Sequence, residues 1–123
     1  MTAKEYLSQV RRLDRRIGAL MDRQRRYHEI GAWRPEGLGA AVSPGQMAAL
    51  ERELDGRIAE YADLVRQIEA AIDAVDKEQY RDVLRYRYLN GWSWRRISER
   101  MNLSQDWLWR LHGRALQAVR PPE

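Results

Sequence analysis

Two short polar breaks near the C-terminal end limit what residues 80–120 can form. The first break is Asn90 and Gly91, and the second runs from Asn102 to Ser104. Asn and Gly tolerate the left-handed backbone that ends helices, and Ser is a good helix cap. The segments between the breaks are amphipathic. This layout predicts an all-α fold that ends in a helix-turn-helix with a supporting helix in front.

The middle segment predicts a helix over residues 93–101. Ser93 can cap it, because its hydroxyl can accept from a free amide of the first turn. The small Ser98 lets the next helix cross closely, and Asn102 stands where the chain must reverse. One face of this helix is apolar and contains Trp94, Ile97 and Met101.

The third segment predicts a recognition helix over residues 104–119. Its apolar stripe contains Leu108, Leu111, Ala115 and Val119, and its other side is polar. Gln, Asp and Arg side chains can bond base edges in the major groove, and arginines suit phosphates. A solvated polar face in a fold that binds no DNA would show the same pattern. The residues expected to contact DNA are Arg95, Arg96, Ser104, Gln105, Asp106, Trp109, Arg110 and Arg114.

The same stretch resembles region 4 of the sigma-70 family of RNA polymerase sigma factors. That family has a leucine-rich helix, a loop, a short helix and then a recognition helix. The resemblance implies binding to double-stranded DNA. The matching residues are Leu84, Arg87, Tyr88, Ile97, Ser98, Glu99, Ser104, Leu108, Leu111, Arg114, Ala115 and Leu116.

Matched by position, the base-contacting residues differ from those of sigma factors. The family mostly has Arg, Glu, Arg and Gln where this chain has Gln105, Asp106, Trp109 and Arg110. Trp109 cannot bond a guanine edge as Arg does. We therefore do not expect this chain to recognise the promoter sequence of sigma factors.

The whole chain also resembles a family of small phage and prophage proteins. Their motifs T-A-K-E-Y-L, E-Y-R-Y-L-N-G and R-L-H-G-R-A-L match Thr2–Leu7, Arg85–Gly91 and Arg110–Leu116, with Arg in place of the first Glu of the second motif. This resemblance implies a phage transcription regulator akin to late-gene activators, acting in the cytoplasm of a bacterial host.

Composition argues against several other classes of function. The chain has no cysteine, and neither His28 nor His112 has a second metal ligand at a recognisable spacing. No nucleophile motif or glycine-rich phosphate loop occurs, so we expect neither an enzyme nor a cofactor or metal. No apolar run of about 18 residues predicts a membrane span, and the N-terminus lacks secretory-signal character.

Charge is distributed unevenly along the chain. Residues 1–42 have 9 basic and 5 acidic groups, a net charge of +4. Residues 43–76 have 3 basic and 8 acidic groups, a net charge of −5. Residues 77–123 have 10 basic and 5 acidic groups, a net charge of +5. The helix-turn-helix segment is thus basic, as phosphate binding requires.

The N-terminal half predicts a long, coiled-coil-like helical hairpin. A Thr2/Glu5 capping box and a Ser43/Gln46 box start its two helices. Helical structure should be interrupted between them by Gly31, Trp33–Pro35, Gly37 and Gly39. The first seam contains Tyr6, Val10, Leu13, Ile17, Leu20, Gln24 and Tyr27; the second contains Met47, Leu50, Leu54, Ile58, Tyr61, Val65, Ile68, Ile72 and Val75.

These patterns predict two domains. Residues 1–76 form the hairpin, an oligomerisation element that we expect either to dimerise through a four-helix bundle or to pack onto the C-terminal helices, and residues 77–123 form the DNA-binding domain. The spacing in the second seam contains a doubled four, which predicts a local stutter near Ile58. Whether helix continues through Asp76 and Lys77 is open from the sequence.

The leading hypothesis for function is a dimeric, sequence-specific DNA-binding regulator of phage transcription. One alternative is a DNA-packaging adaptor like the small terminase subunit, which would form a large ring. Another is a mimic of sigma region 4 that docks on host RNA polymerase without contacting DNA bases. Mass in solution distinguishes the first alternative, and DNA binding without polymerase distinguishes the second.

Overall fold

The chain forms five α-helices in the parts described by a computed structural model, residues 1–33 and 42–122. All regular elements in these ranges are helical, which confirms the all-α fold with two long N-terminal helices and a C-terminal helix-turn-helix. The elements are α1 (Ala3–Trp33), α2 (Pro44–Asp73), α3 (Glu78–Leu84), a π-helical segment (Arg85–Leu89), α4 (Trp94–Met101) and α5 (Gln105–Ala118).

Both predicted capping boxes are present at the starts of the long helices. The Glu5 amide donates to Thr2 Oγ1 at 3.1 Å, and the Thr2 amide donates to the Glu5 carboxylate at 3.4 Å. Ser43 and Gln46 exchange the same pair of bonds at 2.8 and 3.1 Å. Helix α1 runs through Gly31, so an interruption at that residue was wrong; the one expected at Gly37 and Gly39 lies outside the described residues.

By contacts the chain divides into two compact units, and each long helix contributes to both. One unit is Leu13–Ala62, and the other combines Met1–Arg12 with Asp63–Glu123. The ends of the long helices are thus grouped with the C-terminal helices. The division into domains at residue 76, with its oligomerisation role, stays a prediction.

Within Leu13–Ala62, α1 and α2 pack as an antiparallel hairpin. Arg16 Nη2 lies 2.7 Å from Glu53 Oε1, so a basic side chain of α1 pairs with an acidic side chain of α2. The hydrogen bond from Arg16 holds the pKa of the Glu53 carboxyl below its ordinary value, although burial opposes this. The core of the hairpin consists of Ile17, Leu20, Leu50 and Leu54, flanked by Leu13, Tyr27 and Tyr61.

One residue predicted in the seam of α2 lies outside it. Ile58 is 46% exposed, whereas Arg57 is half-buried. The buried side therefore passes from Leu54 through Arg57 to Tyr61, which is the regular three–four spacing of a heptad. The Arg57 stem can cover apolar surface while its guanidinium, 3.1 Å from Glu60, stays in water. The stutter was predicted because Ile58 is apolar, but the helix buries Arg57 instead and keeps the regular heptad spacing, so this prediction was wrong.

In the unit that combines Met1–Arg12 with Asp63–Glu123, the chain is not helical between α2 and α3. Helix α2 ends at Asp73, and α3 begins at Glu78. The Arg81 guanidinium donates to the carbonyl oxygens of Val75 and Asp76 at 2.6 and 2.9 Å. Arg85 Nη2 also lies 2.5 Å from Asp73 Oδ1. Side chains of α3 and the π-helical segment thus bond two carbonyls of the linker and the carboxylate of the last residue of α2.

No helix in the described ranges combines the length and apolar character needed to cross a membrane. In the same ranges, no group of three or more His, Cys, Asp or Glu side chains is placed to hold a metal ion.

Candidate nucleic-acid interface

Helices α4 and α5 are joined by the tight turn that the sequence predicted. Asn102 adopts the left-handed conformation, with φ of 55°. The Leu103 amide donates to the Ser98 carbonyl at 3.1 Å, and the Asn102 amide donates to the Glu99 carbonyl at 3.4 Å. This bond pair is the Schellman motif, which satisfies the last carbonyls of a helix. The Ser98 hydroxyl also donates to the Leu103 carbonyl, so the small residue fixes the corner.

Serine hydroxyls start both helices of the motif. The Ser93 hydroxyl accepts from the Arg96 amide at 3.2 Å, and the Ser104 hydroxyl accepts from the Trp107 amide at 3.2 Å. Both predicted caps are therefore confirmed. Ser104, one of the expected DNA contacts, has this capping role in the structure, and a further contact with DNA stays a prediction.

Helix α5 has one buried side and one exposed side, divided as the sequence predicted. Its buried residues include Leu108, Leu111 and Ala115, and Val119 directly after the helix is also buried. The middle of the opposite side has exposed residues at helical spacing, namely Asp106, Arg110, Gly113 and Gln117. Gln105 and Trp109 border this side on one flank, and Trp107 and Arg114 border it on the other. Their assignment to DNA stays a prediction, but their positions are compatible with it.

A cluster of rings supports the exposed indole of Trp109. Trp109 is 59% exposed, and its ring meets the Trp94 ring edge to face at 5.5 Å between centroids. The His112 ring lies 5.7 Å from Trp109 and 4.6 Å from Trp94. These contacts from α4 and α5 orient the indole while leaving much of it accessible.

His112 is a buried polar residue that joins α5 to the π-helical segment. It is 3% exposed, and its Nε2 shares a 2.7 Å hydrogen bond with the Tyr88 hydroxyl. Burial, with smaller effects from Lys4 and Arg87, lowers the pKa of His112 to about 4. The imidazole is therefore neutral at pH 7. This pair was not predicted from the sequence, although His112 follows Leu108 by four residues and precedes Ala115 by three, which places it on the apolar side.

The Arg96 side chain of α4 lies on a stack of aromatic rings. Its guanidinium is 3.9 Å from the centre of the Trp92 ring, and Trp92 stacks on Tyr86 at 4.5 Å with the planes 3° apart. A guanidinium over an indole face is attracted by the ring quadrupole. Gly91, with φ of 69°, makes the turn that brings Trp92 back over Tyr86, and the Trp92 amide donates to the Tyr86 carbonyl at 3.0 Å.

The other expected arginine of α4 has a different environment. Arg95 pairs with Glu99 at 3.3 Å, and both side chains are mostly exposed. Exposed pairs of this kind contribute little and are readily exchanged for other partners. Arg96 is thus fixed on a ring, whereas Arg95 is held only by a weak surface pair.

Arg87 was not among the residues expected to contact DNA, but it holds two tryptophans of α4 and the turn before it. Its Nη1 donates to the Trp92 carbonyl at 3.0 Å, and its guanidinium lies 4.5 Å from the centre of the Trp94 ring. Burial lowers the pKa of Arg87, and Arg11 adds to the effect. The alternation of charged and aromatic residues in residues 85–96 was the only sequence feature that could have indicated such stacking.

A shallow groove separates the start of α5 from α4. It is lined by Trp94, Gln105, Asp106, Leu108 and Trp109. Three of the expected contact residues, Gln105, Asp106 and Trp109, are brought together there. Arg114 lies on the opposite flank of α5, with its guanidinium 5.8 Å from the Trp107 ring centre. The structure thus divides the expected residues between two flanks and the exposed middle that contains Arg110.

Comparison with known proteins identifies one similarity. A search of the curated proteins and of the solved structures found no significant match. Residues 77–121 match the family model of sigma-70, region 4. This match covers α3, the π-helical segment, α4 and α5, and it confirms the predicted resemblance of the C-terminal segment to a DNA-binding helix-turn-helix domain.

Proposed function

We propose that the protein is a sequence-specific, DNA-binding transcription regulator of phage type, akin to late-gene activators and active in the bacterial cytoplasm. The observation that carries the proposal is the exposed polar side of α5, in a segment that matches sigma-70 region 4. The match itself supports a DNA-binding helix-turn-helix. The phage class rests on the resemblance of both ends of the chain to small phage proteins.

The expected contacts fall into two kinds. Arg110, Gln105 and Asp106 contact base edges, because they lie on the early, exposed turns of α5. Arg95, Arg96 and Arg114 contact phosphates, because they flank that surface. Phosphate contacts position the protein, whereas base contacts select the sequence.

Replacing Arg110 by Ala should weaken binding to the cognate site by about 1–3 kcal/mol, the range for one bidentate base contact. The loss of binding free energy on unrelated DNA should be smaller, because Arg110 makes no base contact there and the variant lacks only its positive charge. A footprinting titration on both DNAs measures the difference. Arg25→Ala is the matched control, since Arg25 is an exposed arginine paired with Asp22 in the hairpin unit. Equal affinities of wild type and Arg110→Ala on the cognate site would show that Arg110 is only a solvated residue.

We further propose that the protein is a homodimer that associates through residues 1–76. The hairpin of Leu13–Ala62 has a small core and leaves Met21 and Ile58 49% and 46% exposed. Burying these side chains between copies is favourable, and because each is already about half buried it would contribute about 1 kcal/mol, roughly half the value for a fully exposed side chain.

Sedimentation equilibrium at micromolar concentration should therefore give about twice the 14.6 kDa chain mass. The double variant Met21→Lys, Ile58→Lys should shift the mass towards the monomer, and the control Arg100→Ala, at an exposed residue outside residues 1–76, should not. A monomeric wild type would contradict the dimer. A mass of many chains would instead support the ring of a packaging adaptor.

Docking on RNA polymerase is a second candidate function, favoured by the match to a sigma-factor region and by the 42% exposure of Trp107. Electrophoretic mobility shift with the purified protein separates the two. Specific DNA binding without polymerase supports the regulator. Failure to shift DNA alone, together with binding to polymerase in the absence of DNA, supports the docking module.

A further inference from the structure

The exposed indole of Trp109 is fixed before any ligand arrives. Trp94 and His112 contact it from the protein side, at 5.5 and 5.7 Å between ring centres. Trp94 in turn lies against the Arg87 guanidinium at 4.5 Å. An apolar surface that is already ordered loses little side-chain entropy on binding.

The position of Trp109 is also defined relative to polar groups. Trp109 follows Gln105 by four residues, so the two lie on the same flank of α5. Both line the groove beside Trp94, together with Asp106. An ordered apolar face thus stands next to an amide that can donate and accept.

An A·T base pair presents a matching pair of features in the major groove. The thymine offers its 5-methyl group for apolar contact, and the adenine offers N6 and N7, which Gln can bond. A guanine or cytosine edge offers no methyl group. The net charge of +5 on residues 77–123 brings the same surface to DNA.

We propose that Trp109 is a specificity residue that contacts the 5-methyl group of a thymine, with Gln105 at the neighbouring adenine edge. The inference rests on the proposed DNA binding and adds the base that this flank of α5 selects. Trp107, the exposed tryptophan on the other flank, does not take part.

The probe is the duplex that the purified protein selects from a random-sequence pool, taken as its cognate duplex. Each thymine of this duplex is replaced, one at a time, by deoxyuridine, which lacks only the 5-methyl group. Dissociation constants are measured for wild type, Trp109→Ala, Trp109→Leu and Trp107→Ala. For wild type, the deoxyuridine substitution at one position should raise the dissociation constant about fourfold, which is the factor for leaving one methyl-sized group unburied. Trp107→Ala should keep this loss, and both Trp109 variants should reduce it to near onefold.

The outcomes separate the inference from the proposal beneath it. If wild type binds the cognate duplex but no deoxyuridine substitution weakens it, the methyl contact does not exist. If the loss persists in both Trp109 variants with unchanged helical circular dichroism, another residue makes the contact. If wild type binds no duplex specifically, the proposed function fails and the inference fails with it. The deoxyuridine series on wild type needs no variant to fold, so misfolding of Trp109→Ala cannot hide a negative result.

Discussion

Affinity for duplex DNA is expected to fall by about three decades when salt rises from about 50 to about 200 mM. The reason is counterion release, since each neutralised phosphate frees condensed cations. Apart from Arg110, which we assign to a base edge, six basic residues of 77–122 are exposed, which sets the scale at about six phosphates: Lys77, Arg95, Arg96, Arg100, Arg114 and Arg120. Fluorescence anisotropy with an unrelated duplex measures the slope of log affinity against log salt.

Single variants should change that slope in small, equal steps but change affinity unequally. Arg96→Gln and Arg95→Gln should each lower its magnitude by about 0.9, the value of one phosphate contact. Arg96→Gln should lose more affinity at low salt, because the Trp92 ring already holds the Arg96 guanidinium at 3.9 Å. Arg95 must first leave Glu99.

The control for these variants is Arg25→Gln, which removes an exposed arginine outside the C-terminal segment. It should leave the slope unchanged. An affinity independent of salt would contradict phosphate contact altogether. If Arg95→Gln and Arg96→Gln both kept the wild-type slope of log affinity against log salt, DNA would have to bind another part of the surface.

Local features of the helix-turn-helix could be predicted because they depend on neighbouring residues. Ser93 and Ser104 cap helices through amides three residues away, and Asn102 ends α4 by its own conformational preference. The buried stripe of α5 follows from helical periodicity alone. The stripe also predicted, by exclusion, that Arg110 is exposed.

Features that depend on packing between segments could not be predicted in the same way. The break after Asp73 is stabilised by Arg81, whose side chain could equally have pointed to solvent. The π-helical segment and Gly91 together place Trp92 over Tyr86, and no single residue encodes this placement. Ile58 has the right residue type for a seam, but helix geometry places Arg57 there instead.

The role of His112 also depends on tertiary structure. His112 lies on the buried side of α5, although its ring is polar. The Tyr88 hydroxyl compensates for the lost contact with water through a 2.7 Å hydrogen bond. A buried polar group is tolerated when it is bonded in this way. A protonated imidazole at the same place would be disfavoured, because charge is costly to bury and Lys4 and Arg87 are nearby.

Acid should therefore destabilise the unit that contains the helix-turn-helix. The pKa of His112 is about 4 in the folded protein and about 6.5 when unfolded. Between these values the unfolded chain binds a proton that the folded protein does not, so stability is lost as pH falls. The loss is about 1.4 kcal/mol for each pH unit, or about 3 kcal/mol from pH 6.5 to pH 4. Well above pH 6.5, where neither the folded nor the unfolded state binds this proton, His112 should contribute no pH dependence.

Urea unfolding at several pH values, followed by circular dichroism, measures this loss. Wild type should be compared with His112→Gln, whose neutral amide can still bond the Tyr88 hydroxyl. The variant keeps every carboxylate and the exposed His28, so the difference between the two curves isolates His112. The difference in free energy of unfolding between wild type and the variant should narrow as pH falls below about 6.5, because only wild type takes up the extra proton on unfolding. A constant difference from about pH 7 to about pH 4.5 would mean that folded His112 takes up a proton as readily as the unfolded chain does, and the buried neutral pair with Tyr88 would then be wrong.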